Sequence, residues 1–216
     1  INDFTAWTKD INIVPDEDFL ISELADNNLV FEGAQGVLLD ENLGFRPHNT
    51  WSTTTDRNAN TLLSGVDVLP DPIEISTVGI LRCYATRHGA GPFITHDRDS
   101  SLESIPKDKT NVTNEWQGNF RTGHFDAVLA KYALDAVHVD ELVLSCMDHL
   151  NFIPEYKVCE SYSIQGKITD SLLKWAKPNY NVIEKEDVVP YLEESLDVDI
   201  RITSYGPTYK DKRVRS

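Results

Sequence analysis

An α/β fold with a largely parallel central sheet, helices on both faces and a small hairpin subregion is what this sequence predicts. Two observations carry the prediction. Helical and strand patterns alternate along the chain, the order that builds a parallel sheet from crossover units. Predicted strands also run into glycine-bearing loops, EGAQG, TRHGAGPF and SYGP. Ligands of α/β folds gather outside the carboxyl ends of strands.

In chain order, residues 3–12 and 17–26 read as helices. The second lies within PDEDFLISELAD, whose acidic first turn suits the positive end of a helix dipole. Leu29, Val30 and Phe31 read as a short buried strand over 29–32, which ends in FEGAQG. DRNANTLLSG reads as a helix stopped by Gly65. TVGILRCYAT (77–86) is rich in β-branched and aromatic residues and reads as a strand. RHGAGPFITHD is a Gly/Pro loop, and the polar stretch 98–120 is too long for a simple connection, which marks it as a functional loop. The strongest helix is FDAVLAKYALDAV (125–137), where Phe125, Val128, Leu129, Tyr132, Ala133 and Ala136 recur at helical spacing. A strand follows at 141–147 (ELVLSCM), then a hairpin at 156–168, a helix at 188–196 and the strand VDIRITS. The terminal KDKRVRS reads as a frayed surface tail.

Composition narrows the function. The chain has 216 residues, 40% hydrophobic and 25% charged, ordinary values for one large soluble domain or part of one. Its net charge of −15 argues against a nucleic-acid partner, because phosphate backbones need clustered Lys and Arg. A small anionic nucleotide in a local basic pocket remains compatible with that charge. The acidic runs in the first 30 residues and at 184–199 read as solvated faces. No apolar run reaches the roughly 18 residues that span a bilayer, so no membrane partner is expected. Cys83, Cys146 and Cys159 are widely spaced with no CxxC, which points to buried free thiols in a reducing, cytoplasmic setting. Position 1 is Ile and the single Met is Met147, so the chain reads as a processed or truncated piece of a longer protein.

Local motifs are individually weak. No G-x-G-x-x-G, Walker loop or G-x-S-x-G elbow occurs, and QGKIT (165–169) reads as a hairpin turn. The six histidines show no H-x-x-x-H pair, which disfavours a zinc site. TWSTTT (50–55) clusters hydroxyls ahead of a helix. Those hydroxyls could cap the helix or, with its amides, hold a phosphate.

Taken in order, FEGAQGVLLD, Gly44, Pro47, Thr50, Ser52, ATRHGAGPFITHD, RTGHFD, the strand leading to Asp148, and SYGP resemble the adenylosuccinate synthetase family from about residue 29 to about residue 211. The resemblance implies a ligase of purine and AMP biosynthesis. It would phosphorylate the 6-oxygen of IMP with GTP and Mg²⁺, then displace the phosphate with the amine of aspartate. Gln35 matches the glutamine that hydrogen-bonds the base and assists catalysis, a task suited to a neutral amide. Thr50 matches the threonine on the 5′-phosphate. His88, Trp116, Gln117, Gly118 and Arg121 fall at substrate-contacting positions, Arg121 in the loop that clamps the aspartate carboxylates and borders the nucleotide. Asp148 matches the carboxylate that reads guanine, and Ser204 and Gly206 match the loop that closes over that base.

The resemblance also implies that residues 1–216 are the C-terminal part of a single synthetase-like domain, incomplete by itself. The phosphate loop, the Mg²⁺ ligands and the catalytic acid and base would precede residue 1, leaving no metal ligand in this chain and the isolated fragment inactive. A homodimer is the family's usual assembly. The departures from its pattern lie at contact positions: WQGNFR (116–121) replaces an arginine-rich run, Cys146 replaces a lysine, His88 a valine and Trp51 a small residue. They leave open a variant synthetase acting on dGMP or using ATP or dATP, and a nucleotide-binding relative without catalysis.

Overall fold

The computed structural model describes residues 8–11, 14–65, 74–107 and 111–215. It divides into two compact units, 1–36 with 53–75 and 37–52 with 76–216.

The smaller unit contributes two helices. Helix α1 (Asp16–Asp26) buries Leu20 and ends where the Asn27 N–H reaches the Glu23 carbonyl at 2.9 Å. Helix α2 (Thr55–Ser64) buries Leu63, and Gly65 ends it with its N–H on the Leu62 carbonyl at 3.2 Å.

In the larger unit, β1 (Val78–Arg82), β5 (Glu141–Ser145) and β8 (Ile200–Ser204) form a parallel sheet in the order β1-β5-β8, and β9 (Lys212–Val214) adds antiparallel to β8. Strand β5 alternates as its sequence does, with Leu142 and Leu144 buried. They join Ile200 and the Val188, Leu192 and Leu196 stripe of α5 (Val188–Leu196) in one core. Each such side chain contributes roughly 1.5–3 kcal/mol through burial. Two smaller sheets flank this core. β2 (Ala85–His88) pairs antiparallel with β3 (Phe120–Gly123). β4 (Phe125–Asp126) pairs parallel with β6 (Tyr156–Tyr162), which pairs antiparallel with β7 (Pro178–Ile183).

Helix α3 (Ala127–Ala136) starts at a specific cap. The Asp126 carboxylate accepts the Leu129 N–H at 3.1 Å, and the Tyr162 hydroxyl donates to both its oxygens at 2.9 Å. Burial nevertheless pushes the Asp126 pKa up to about 6, against the pull of those hydrogen bonds.

Several expectations need correction. Residues 29–32 form no strand, and Val30 is 90% exposed. Three apolar residues make a strand only where a neighbouring backbone pairs with them. The strand expected over 77–86 breaks at Cys83–Tyr84, where the chain leaves the parallel sheet and enters the β2–β3 ribbon. The hairpin expected within 156–168 returns instead at Pro178–Ile183, after helix α4 (Asp170–Trp175). Thr169 caps α4 by accepting the Leu172 N–H at 3.2 Å. The frayed tail is partly strand β9, whose Lys212, Arg213 and Val214 are all exposed, so backbone pairing to β8 and polar side-chain contacts hold it rather than apolar burial. The helix expected over 3–12 falls largely outside the described residues, and Thr8–Asp10 make a single 3-10 turn.

Candidate functional site

Three groups of residues lie at the positions singled out above. The first is the loop 37–52. Asp40, 1% exposed, accepts the Asn42 and Leu43 N–H groups at 2.7 and 2.8 Å. Asn49 donates to the Asp40 and Glu41 carbonyls. In this frame the Thr50 hydroxyl donates to the Leu39 carbonyl at 2.7 Å and lies 2.6 Å from the Ser52 hydroxyl. The helix-capping reading of the Thr cluster fails at Thr54, which occupies the N-cap position of α2 without a side-chain cap bond. Trp51 points outward at 99% exposure.

The second group surrounds the end of the β2–β3 ribbon. The Arg121 Nη2 donates to the Gly89 and Gly91 carbonyls at 2.7 and 3.1 Å, and its guanidinium stacks over Phe93 at 5.5 Å. Its cross-strand partner Arg87 donates through Nε to the Ala90 carbonyl at 3.0 Å and through Nη2 to the His48 carbonyl at 3.2 Å. Burial and then repulsion from Arg121 lower the Arg87 pKa, with Asp170 opposing, while burial alone lowers that of Arg121.

A tight turn faces this loop. The Asn114 side chain accepts the Trp116 and Gln117 N–H groups at 3.0 and 2.7 Å, and Gly118 closes the turn at φ 71°. Gly89 also holds a positive φ, 86°, and a Cβ there would lie 3.0 Å from the Gln117 carbonyl oxygen. Glycine therefore permits both the backbone conformation and the close approach. The result is a cleft of about 400 Å³ lined by Gly89, Ala90, Trp116, Gln117, Gly118 and Arg121. His88 lies beside it, with Nε2 3.3 Å from the Gly118 carbonyl oxygen.

The third group sits at the carboxyl end of the parallel sheet. After β5 the chain turns through Cys146 at φ 60° into the 3-10 segment Met147–Phe152, which carries Asp148. Asp148 lies 3.7 Å from the His149 Nε2, and the His149 Nδ1 lies 3.0 Å from the Tyr84 hydroxyl. Burial, followed by the influence of Cys146, pushes the Tyr84 pKa up to about 12, so the phenol stays protonated. Burial likewise pushes the Cys83 thiol up, which leaves it inert, with its S–H on the Cys146 carbonyl. On the adjacent strand β8, buried Ser204 donates to the Gly206 carbonyl at 3.2 Å, and Lys212 Nζ donates to the same oxygen at 2.6 Å.

The structure thus brings His88, Trp116, Gln117, Gly118 and Arg121 to one cleft, and Asp148, Ser204 and Gly206 to neighbouring strand ends. Thr50 belongs to the loop that Arg87 ties to the first cleft through His48. Gln35 lies in the smaller unit and is exposed, and a Cβ at Gly33 of the same FEGAQG segment would overlap Thr55 Oγ1. Sequence reasoning missed Arg87, Asn114 and Phe93. The first two had a readable signal, an arginine two residues before Gly89 and an Asn four residues before a turn glycine.

Comparison with known proteins identifies the family. The family model for adenylosuccinate synthetase matches residues 1–186. The adenylosuccinate synthetase of Syntrophotalea carbinolica is 37% identical over 163 residues, covering 73% of this chain and 37% of the relative. That of Theileria annulata is 30% identical over 210 residues, covering 95% and 44%. Among solved structures, the fully ligated adenylosuccinate synthetase of Plasmodium falciparum superposes with a TM-score of 0.81 at 20% identity, covering all of this chain and 56% of that one. A cyanophage S-2L succinoaminodeoxyadenylate synthetase, bound to dGMP and dATP, superposes at 0.59 and 17% identity, covering 94% and 51%. At those identities the two structures share the fold. The chain spans about half the length of the proteins it matches, or less. A family match over 186 of 216 residues is decisive: the chain belongs to the adenylosuccinate synthetase family.

Proposed function

We propose that this protein is a purine nucleotide ligase that joins aspartate to IMP, with hydrolysis of GTP, to give adenylosuccinate. Residues 1–216 would be the C-terminal part of one synthetase-like domain, in a cytoplasmic homodimer. The observation that carries the reading is the cleft of Gly89, Ala90, Trp116, Gln117, Gly118 and Arg121, in a chain of this family.

Arg121 holds Nη2 on two loop carbonyls, which fixes the plane of its guanidinium. Nη1 is then held in a fixed direction to donate to a carboxylate oxygen of aspartate. Thr50 would bind the 5′-phosphate by exchanging its bond to the Leu39 carbonyl for one to a phosphate oxygen. The Gln35 amide would donate to the purine base as charge builds on its 6-oxygen during attack on the γ-phosphate. The Asp148 carboxylate would accept from N1–H and the 2-amino group of guanine, with Ser204 and Gly206 beside it. Adenine offers no such pair of donors on that edge. Magnesium would serve the phosphate transfer in the whole protein. Among the described residues no group of three or more His, Cys, Asp or Glu could hold it. No helix of the described residues is long and apolar enough to cross a membrane.

A second reading has one specific feature in its favour. Cys146, which precedes Met147 and Asp148, brings a short neutral side chain to a position where the family's motif has a lysine. That fits a variant acting on dGMP or drawing on ATP or dATP. Incubating the full-length protein with aspartate and Mg²⁺, and with IMP or dGMP crossed with GTP, ATP or dATP, decides between the readings. Turnover confined to IMP with GTP supports the first. Turnover of dGMP, or with an adenine donor, supports the second, and none in any combination favours a non-catalytic nucleotide-binding relative.

A further inference from the structure

A larger cleft, about 680 Å³, opens on the other flank of the Gly91–Phe93 loop. We infer that it is a binding site for a small polyvalent oxyanion, of the phosphate or pyrophosphate class, adjacent to the ligase site proposed above and sharing Arg121 with it. Its walls carry five permanent cations, Arg98, Arg121, Lys157, Lys174 and Lys177, against two carboxylates, Asp97 and Asp99. This excess of positive charge stands on a chain whose net charge is −15.

The distribution of partners sharpens the inference. Lys157 pairs with Glu155 at 2.8 Å and Lys174 with Asp170 at 2.6 Å, so these two are largely neutralised. Asp97 is committed to the Ser101 N–H and hydroxyl and to the Leu102 N–H, at 2.7–3.1 Å. Arg98 and Lys177 are exposed and have no ion-pair partner among the described residues. Two uncommitted cations on the wall of one concave surface make a local well of positive potential, which a dianion fills better than a monoanion. His48, His96 and His124 add imidazoles to the lining. Ile94 and Leu173, both buried, add apolar surface to the lining. Arg121 borders this cleft and the smaller one alike, so an anion here acts on the guanidinium that the aspartate would use.

Calorimetric titration of the full-length protein with inorganic pyrophosphate and with inorganic phosphate, at fixed ionic strength and without substrates, tests the site. The expected result is saturable binding, tighter for pyrophosphate, weakened at least 10-fold in Arg98→Glu and further in Arg98→Glu/Lys177→Glu. Lys185→Glu, which makes the same charge change outside the cleft, should leave the isotherm unchanged. Thermal melts of each variant check that the fold is kept. Non-saturating heats, or equal weakening by Arg98→Glu and Lys185→Glu, would overturn the inference. Because no nucleotide or turnover enters the measurement, its failure leaves the ligase reading untouched, and the converse holds.

Discussion

Arg87 and Arg121 face each other across the β2–β3 ladder, and both donate to carbonyls of the same three-residue turn, Gly89–Gly91. Two like charges side by side repel, and the carbonyl oxygens screen that repulsion while the guanidiniums fix the turn. The turn is therefore held by these two side chains together with the Gly89 N–H on the Asn119 carbonyl at 3.2 Å.

Arg121→Lys keeps the charge but loses the planar fork. A hydrogen bond from a charged group contributes about 1.5–3 kcal/mol, and at this half-buried site a net loss of about 1–2 kcal/mol is expected. In the full-length protein, kcat/KM for aspartate should fall more than 10-fold, with a decrease in Tm of only a few degrees. A kcat/KM unchanged from wild type would show that Arg121 serves the turn alone.

Gly89→Ala puts a Cβ at φ 86° and 3.0 Å from the Gln117 carbonyl oxygen. The backbone strain costs on the order of 1 kcal/mol, and relief requires the Trp116–Gly118 turn to move away. Aspartate KM should rise with little change in nucleotide affinity, measured by steady-state kinetics with each substrate varied in turn.

Asp126 gives a pH dependence of opposite sign to that of a salt-bridged carboxylate. Its pKa rises from 3.8 in the unfolded chain to about 6 in the fold, because burial penalises the charged form. Below about pH 4 the group is protonated in both states and the penalty is absent. As pH rises through 6 the native state must bear a buried charge, so stability falls, by on the order of 3 kcal/mol for two pKa units. Asp126→Asn retains a capping oxygen for the Leu129 N–H and removes the titration. Urea denaturation of both proteins between pH 4 and 7 should show the variant gaining relative stability as pH rises. A constant difference across that range would contradict the assignment.

Leu192 and Trp51 bracket the energetic range of the fold. Leu192 is fully buried, and Leu192→Ala should cost about 2–5 kcal/mol by urea denaturation. Trp51→Ala, at 99% exposure, should stay within about 0.5 kcal/mol. Any larger effect of Trp51→Ala on turnover than on stability would assign that ring to a ligand.

Strong periodicity was readable. Helix 188–196 lies where its pattern placed it, and helix 125–137 loses Phe125 and Asp126, which pair with Val158 and Cys159 as a strand before the cap, and Val137, its extended C-cap. Backbone-driven features were not readable. Strand β9 carries no buried side chain, so no hydrophobic pattern marks it, and its pairing with Ile202–Ser204 comes from main-chain groups. The return strand β7 lies beyond an intervening helix, a separation that local pattern cannot bridge. Of the candidate site, Trp116, Gln117, Gly118 and Arg121 were legible from the resemblance of their loop. The role of Arg87 was not, since it depends on which strand faces β3.

The proposed ligase reaction sends the 6-oxygen of the purine out as phosphate. It is tested most directly by giving the full-length protein IMP labelled with ¹⁸O at that position, with aspartate, GTP and Mg²⁺, and reading the released phosphate by mass spectrometry. One labelled oxygen per phosphate, formed in step with adenylosuccinate, is the predicted result. Unlabelled phosphate, with the label retained in nucleotide, would contradict the account.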